Sequence, residues 1–335
     1  MLHRPLYRFL GRFLKKRDRR QIAAKTLFAD SFAYSLANAR LVNSRSILVS
    51  CDIYPEKPQS SIANTPYLDS IPSKIQMQAA GSRPLSIYVP SDGLRYFAEQ
   101  IEPQIFRPFI LVSGDSDLPI ESATLGPSLD TLLAHPFLVA WYAQNRNFDH
   151  PKLHSLPIGI NLHNLWANPL QWGGGFILPA MQELQIQAIA EQALPLARRI
   201  PKIFCNWHFS IDRADRQSCY EKIDHSLCHF QETPLPVAKT WEQQAQYQFV
   251  LSPHGAGLDC HRTWEALLLG CIVIVKTAKL NDLFVDLAVL SVNDWEEITP
   301  AFLKAASTQI QNKKMKFEKL FMQFWRKELL RWEIY

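Results

Sequence analysis

Charged side chains and glycines are concentrated between two apolar runs in the segment LSPHGAGLDCHRTWEALLLGCIVIV, residues 251–275. Gly255 and Gly257 follow the first run, and glycine permits positive φ angles and a close approach of the backbone to a ligand. The helix predicted to come next presents free N–H groups and the positive end of its dipole. A glycine loop that leads into a helix in this way is typical of a diphosphate site.

Arg262 and Glu265 lie near the start of that predicted helix. The Arg262 guanidinium could bind the same anion through two parallel hydrogen bonds. Glu265 follows three residues later on the same helix face, where it could accept hydrogen bonds from ribose hydroxyls. The alternative is an intrahelical ion pair on a solvated face, which contributes only about 0.2–0.5 kcal/mol. The convergence of loop, guanidinium and carboxylate on one crevice favours a ligand site.

The loop also has to be compared with a dinucleotide fingerprint. HGAGLDC contains G-x-G but lacks the third glycine of that motif. The second apolar run ends at Lys276, where an acidic residue would bind the 2′-hydroxyl of NAD. NAD is therefore disfavoured, and NADP with Lys276 on its 2′-phosphate is a remaining alternative.

Strands alternate with helices along most of the chain, which predicts an α/β protein with parallel sheets covered on both faces. The strands predicted in the first half are 46–51, 83–89, 108–114, 137–145 and 154–160. The strands predicted in the second half are 201–209, 248–252, 271–275 and 289–292. Helices are expected near Ser91 and Ser128 and over 179–197, 213–226 and 258–269.

A length of 335 residues suits two domains, and 47% hydrophobic with 20% charged residues is typical of a globular protein. The predicted units are a basic tail (1–20), an acceptor-side α/β domain (21–165), a turn-rich junction (166–200), a nucleotide-sugar-binding α/β domain (201–305) and a C-terminal amphipathic helix (306–335). In the last unit Phe317, Leu320, Phe321, Phe324 and Trp325 form an apolar stripe that is expected to pack on the core.

The basic charge belongs to the first 20 residues, which hold eight Lys or Arg and one Asp, whereas the whole chain carries +5. Leu2, Leu6 and Phe9 recur there at helical spacing opposite the basic residues, a pattern that suits an anionic membrane surface. The alternative is a tail that docks on its own domain or stays disordered. Nucleic acid is disfavoured, because no basic and aromatic pattern continues into the body.

The location expected from the sequence is cytoplasmic, with peripheral attachment to the inner membrane face. The apolar runs are too short to span a bilayer, and the charged N-terminus does not resemble a signal peptide. The six cysteines show no zinc-type spacing and are expected to be reduced and buried. No metal site and no cofactor are expected.

FVLSPHGAGLDCHRTWEALLLGCIVIV and the downstream LFVDLAVLSVNDWEEIT resemble the C-terminal motif of exostosin-type (family 47) glycosyltransferases. The resemblance covers 247–300 and is supported by NWHFSIDRADR (206–216). It implies a GT-B fold, in which two Rossmann-like domains face each other across a cleft and the C-terminal domain holds the nucleotide sugar. It also implies inverting transfer without an obligatory metal. The nucleotide-sugar-binding candidates are Arg213, Ser252, His254, Gly255, Gly257, Asp259, Arg262 and Glu265.

Inverting transfer requires a general base on the acceptor hydroxyl and stabilisation of the leaving diphosphate. The base is expected from the N-terminal domain, where Asp115 and Asp117 in SGDSDLPI follow a predicted strand. The alternative is that these aspartates cap backbone turns. His150, His154 and His163 are further candidates.

The sequence therefore predicts a glycosyltransferase that moves a sugar from a nucleotide sugar, with UDP expected, to a glycan or lipid-linked acceptor in polysaccharide biosynthesis. The alternatives are a non-catalytic nucleotide- or sugar-binding module and an NADP-dependent oxidoreductase.

Overall fold

The structure is a computed structural model, and it describes residues 29–55, 65–79, 81–163, 177–207, 215–312 and 315–332. The fold is α/β and contains two sheets in which all neighbouring strands are parallel. The predicted fold class is confirmed at this level. The tail at 1–20, the Gly173–Gly175 run and Arg213 lie outside the described residues.

The first sheet has four strands in the order β1-β2-β3-β4. The strands are β1 (Leu85–Pro90), β2 (Phe109–Gly114), β3 (Leu138–Ala143) and β4 (Leu153–Ser155). Every residue of β2 is buried, with Ile110 on one face and Phe109 and Leu111 on the other. Burial on both faces explains why these strands read as continuous apolar runs in the sequence.

Six helices accompany this sheet in the described part of the first half. They are α1 (Ala29–Ala37), α2 (Ser44–Leu48), α3 (Thr65–Met77), α4 (Leu94–Tyr96, continued by a π-helical turn), α5 (Ser122–Leu125) and α6 (Pro127–Ala134).

The second sheet has five strands in the order β6-β5-β7-β8-β9. The strands are β5 (Ile200–Cys205), β6 (Cys228–Phe230), β7 (Tyr247–Leu251), β8 (Ile272–Lys276) and β9 (Val289–Val292). The helices of this half are α7 (Pro179–Gln192), α8 (Arg216–Lys222), α9 (Val237–Gln244), α10 (His261–Leu268), α11 (Pro300–Asn312) and α12 (Met322–Leu330).

One buried apolar cluster is continuous between the halves. It includes Tyr88 and Val112 of the first sheet together with Phe204 and Val273 of the second. Separate clusters cover the other face of each sheet. The carboxyl ends of the two sheets also meet, because Arg146, after β3, lies 3.1 Å from Asp282, after β8.

Three expected elements differ from the structure: the strands at 46–51 and 154–160, and the single C-terminal helix at 306–335. The strand expected at 46–51 is replaced by the end of helix α2, which stops at Leu48, and by a turn; the N-terminus of α2 is capped by the Asn43 side chain, which accepts the Ser46 N–H at 2.8 Å. The strand expected at 154–160 ends at Ser155, and Gly159 beyond it adopts a φ of +65°. Short apolar runs do not distinguish helix from strand by periodicity, which accounts for the first difference.

The single C-terminal helix expected at 306–335 is replaced by two helices. Helix α11 ends at Asn312, and α12 begins only at Met322, after a 3-10 turn at Glu318–Leu320. Helix α12 crosses back to the first half, where the Tyr142 hydroxyl donates to the Glu328 carbonyl at 3.1 Å. The predicted apolar stripe packs on the core only in part, since Leu320 and Trp325 are buried whereas Phe317 and Phe321 are exposed.

Candidate anion-binding site

The glycine loop lies at the carboxyl end of β7, between Leu251 and the start of α10. The Ser252 N–H continues the sheet by donating to Ile274 O at 2.9 Å, and the Gly255 N–H donates to Gly257 O at 3.0 Å to close a tight turn. The strand, turn and helix therefore follow one another as the sequence predicted. Loops at the carboxyl ends of parallel strands are the usual ligand sites of open α/β sheets.

The two loop glycines are required for close packing, since neither has a positive φ. A Cβ on Gly255 would lie 2.8 Å from Arg216 Nη2, and a Cβ on Gly257 would lie 2.9 Å from Asn145 Nδ2. Both distances are shorter than real Cβ contacts. The sequence suggested that these glycines are needed for positive φ angles. In the structure they are needed because Arg216, from the second half of the chain, and Asn145, from the first, lie close to their Cα atoms.

Asp259 is buried and directed into the protein. Its carboxylate accepts the Ile158 N–H at 2.8 Å and the Trp264 Nε1–H at 2.9 and 3.0 Å. Its own N–H donates to Asn145 Oδ1 at 2.9 Å. Burial raises the pKa of Asp259 to about 7, although the hydrogen bonds from Ile158 and Trp264 oppose the shift. The geometry gives Asp259 a structural role in place of the predicted contact with a nucleotide sugar.

Arg262 is half-buried beside the loop. Its Nη1 lies 3.4 Å from Ser252 Oγ, which shares a hydrogen bond of 2.9 Å with Thr263 Oγ1. Its Nε is buried and has no hydrogen-bond partner within the described ranges. No ion pair joins Arg262 to Glu265 among those residues, so the intrahelical alternative is not what the structure contains. The guanidinium keeps donors for a ligand.

Glu265 already accepts two hydrogen bonds from the protein. Trp241 Nε1 donates to its carboxylate at 3.0 Å, and the Asn161 backbone N–H is a second donor. Burial raises the pKa of Glu265, while the Trp241 hydrogen bond and the Arg262 charge lower it. A carboxylate has about four lone-pair sites, so a contact with ribose would use those that remain.

Two further cations lie around the loop; the sequence offered Arg216 as a residue that could reach the diphosphate and Lys276 only as a partner of the NADP 2′-phosphate. Arg216 begins α8 and reaches Gly255, as the Cβ distance above shows. Lys276 ends β8, and its Nζ lies 5.5 Å from the centre of the Trp295 ring. Arg216 comes after β5 in the chain, and Lys276 ends β8. Their meeting at the glycine loop follows from the strand order, in which β5 and β8 both adjoin β7. Arg216, Lys276 and Arg262 are the cations of this edge, and Asp215 and Glu265 are its carboxylates.

His254 and Asp215 are the titratable pair of the loop region. Burial lowers the pKa of His254, and the Lys276 charge adds to this while Asp215 opposes it. Burial raises the pKa of Asp215, and the charges of His254 and Lys276 oppose that shift. At neutral pH the imidazole is therefore an uncharged hydrogen-bonding group beside the three cations.

The two predicted general bases differ in their surroundings. Asp115, directly after β2, has a φ of +58° and an ion pair of 2.8 Å with the buried Arg45. Asp117 is exposed to solvent. Asn145 links this end of the first sheet to the glycine loop, because its side chain donates to Ser116 O at 3.0 Å and accepts from Asp259. The loop that carries the candidate bases is thus connected to the glycine loop through the Asn145 side chain.

The histidines weighed as alternative bases have mainly structural contacts. His154 lies between the Tyr142 and Trp332 rings, at 5.1 and 5.9 Å. Burial lowers the pKa of both His154 and His163. His163 contacts His261 with ring centres 6.0 Å apart. Neither histidine directly follows the carboxyl end of a strand, as Asp115 does after β2.

The class that the fold and this site define is an α/β protein with two parallel sheets and a glycine loop that has arginine and lysine side chains around it. No family model matches the sequence, and no curated protein matches it. Within the described ranges, no group of three or more His, Cys, Asp or Glu residues is arranged to hold a metal ion. None of the helices in those ranges has the length and apolar character needed to cross a bilayer.

Proposed function

We propose that the protein is a glycosyltransferase that binds a nucleotide sugar, with UDP as the expected nucleotide, and transfers the sugar to a glycan or lipid-linked acceptor. The observation that carries this proposal is the convergence of Arg262, Arg216 and Lys276 on a glycine loop at a helix N-terminus. These groups suit a diphosphate because guanidinium and ammonium donors and a helix dipole all stabilise negative charge.

In this proposal the second half holds the donor, and the charge that develops on the leaving diphosphate is stabilised by the same cations. Inverting transfer needs a base on the opposite side of the sugar, and Asp115 or Asp117 is proposed for that role. A GT-B arrangement of the two halves is part of the proposal. It is supported by the facing carboxyl ends of the sheets, which Asn145 and Arg146 bring together.

A non-catalytic nucleotide- or sugar-binding module is the second candidate. It is favoured by the ion pair of Asp115 with Arg45, because a carboxylate held by a guanidinium is a weaker base. Transfer assays separate the two candidates. Release of UDP from a UDP-sugar in the presence of acceptors supports the enzyme, whereas UDP binding without turnover supports the module.

The proposal is tested first by calorimetric titration with UDP. UDP is expected to bind, and Arg262→Met and Lys276→Met are each expected to weaken binding about tenfold or more, as for loss of a charge-assisted hydrogen bond. Lys202→Met is the matched control, since Lys202 is an exposed lysine of β5. Equal UDP affinity in all four proteins would remove the basis of the proposal, as would absence of binding to the unmodified protein.

A further inference from the structure

The outward side of helix α7 is apolar and exposed. Met181 and Leu184 are three residues apart, so they lie on the same side of the helix, and they are 56% and 61% exposed. Ala180 and Ala188 are also exposed on that side. The opposite side of α7 packs on the protein through the buried Ile186. A surface helix usually presents polar residues outward, so this apolar side indicates a contact beyond the folded body.

Helix α1 extends this surface, because it packs against α7. Tyr34 of α1 is 71% exposed. The Arg40 N–H, just after α1, donates to the Glu183 carboxylate of α7 at 3.0 Å and joins the two helices. A tyrosine ring with its hydroxyl group favours the boundary between water and lipid. Tyr34, Met181 and Leu184 are called the outer face below.

Charges of both signs lie beside the outer face. Asp30 on α1 and Glu191 on α7 are the exposed carboxylates of the two helices. Arg40 and Arg326 are cations beside them, and Arg326 Nη2 donates to Ala37 O at 2.7 Å at the end of α1. The outer face by itself therefore offers apolar contact and little net attraction to an anion.

The chain enters the described structure at α1, directly after its basic N-terminus. Residues 1–20 carry eight Lys or Arg and one Asp, and α1 begins at Ala29. The connecting residues 21–28 span at most about 28 Å even if fully extended. A tail attracted to an anionic bilayer therefore brings α1, and α7 beside it, close to the lipid surface. Stable membrane binding usually combines two signals, such as a basic segment and inserted apolar groups.

We infer that Tyr34, Met181 and Leu184 insert into the headgroup region of an anionic bilayer, while residues 1–20 supply the electrostatic attraction. A second copy of the chain is disfavoured as the occupant, because it would bring another tail of the same positive charge to this place. The outer face is part of the folded body and contains none of the residues around the glycine loop, so it goes beyond the proposed transfer reaction.

The test is co-sedimentation with vesicles of equimolar phosphatidylserine and phosphatidylcholine. Met181→Gln combined with Leu184→Gln is expected to weaken binding about tenfold, because two apolar side chains are then replaced by polar ones. Tyr34→Ser, on the other helix, is expected to weaken binding about threefold. Both variants are expected to keep the decrease of binding with salt, since residues 1–20 are unchanged. Their urea midpoints are expected to match the unmodified protein, because the three side chains are exposed.

Met77→Gln combined with Phe106→Gln is the matched control, since these side chains are 84% and 77% exposed in the first half of the chain. The control is expected to bind as the unmodified protein does. The inference is overturned if the full chain does not bind these vesicles, if the outer-face variants bind unchanged, or if the control weakens binding as much. It is also overturned if sedimentation velocity shows a dimer that the outer-face variants disrupt without loss of vesicle binding, because the face then belongs to a second copy.

Discussion

The carboxylate of Asp259 lies 2.8 Å from the backbone N–H of Ile158 and thereby joins the glycine loop of the second sheet to the segment that leaves the first. The same carboxylate accepts the Trp264 indole N–H. One side chain therefore fixes the loop, the helix that follows it and the adjoining half of the chain. The position of the glycine loop, the candidate donor site, therefore depends on the hydrogen bond between Ile158 and Asp259.

Replacement of Asp259 is expected to destabilise the fold strongly. Asp259→Ala leaves the Ile158 N–H and the Trp264 indole N–H buried without an acceptor, which costs about 2–5 kcal/mol. The free energy of unfolding from urea denaturation measures this loss. Asp130→Ala, at an exposed position on α6, is the control and is expected to change stability little. A similar small effect at both positions would contradict the structural role.

The Asp259 carboxyl also predicts a pH dependence of stability. Its pKa is about 7 in the folded protein against 3.8 for the ordinary group, so the folded state binds the proton more tightly. This contribution is complete below pH 4 and is lost as the pH rises to about 7, by up to about 4 kcal/mol. Asp259→Asn is expected to flatten this part of the stability profile. An unchanged slope in that variant would show that other groups cause it.

The two loop glycines are expected to respond differently to alanine. At Gly257 a Cβ meets the Asn145 amide, which is fixed by two hydrogen bonds, so Gly257→Ala is expected to cost about 1–3 kcal/mol. At Gly255 it meets the far end of Arg216, which can move aside. Gly255→Ala is therefore expected to unfold close to the unmodified midpoint but to bind UDP more weakly. Equal stability losses would show that the Asn145 contact is not fixed.

The C-terminal helix is expected to be part of the core. Trp325 is 4% exposed, and its Nε1–H donates to Lys319 O at 2.8 Å. Trp325→Ala is expected to lower the free energy of unfolding by about 3–5 kcal/mol. Leu330→Ala on the same helix is the control, because half of that side chain is exposed. If Trp325→Ala were as stable as the control, α12 would not be packed as described.

The membrane proposal for the N-terminus is tested by deletion of residues 1–20. Because this segment holds the excess of basic residues, the shortened protein is expected to lose binding to phosphatidylserine vesicles. Co-sedimentation at low and high salt measures the effect, and binding of the full chain is expected to fall with salt. Binding that persists after the deletion would assign the surface to another part of the molecule.

Several strands could be predicted because the apolar pattern of their sequences is compatible only with a strand buried on both faces. The runs that form β1, β2, β3, β7 and β8 are largely apolar on both faces and are bounded by turn residues or helices, as strands of a covered parallel sheet must be. The run at 46–51 has the same composition but is short, and the Asn43 cap together with its packing against α12 makes it helical. Composition alone could not separate these cases.

The sequence by itself determined the α/β class and the glycine loop between a strand and a helix, because both follow from local patterns of apolar residues, glycines and charges. Only the tertiary structure decided which polar side chains face one another. It turned Asp259 inward, brought Arg216 and Lys276 to Arg262, and set Arg45 against Asp115. Strand order and the contact between the two sheets join residues that are far apart in the chain, and local patterns carry no information about such contacts.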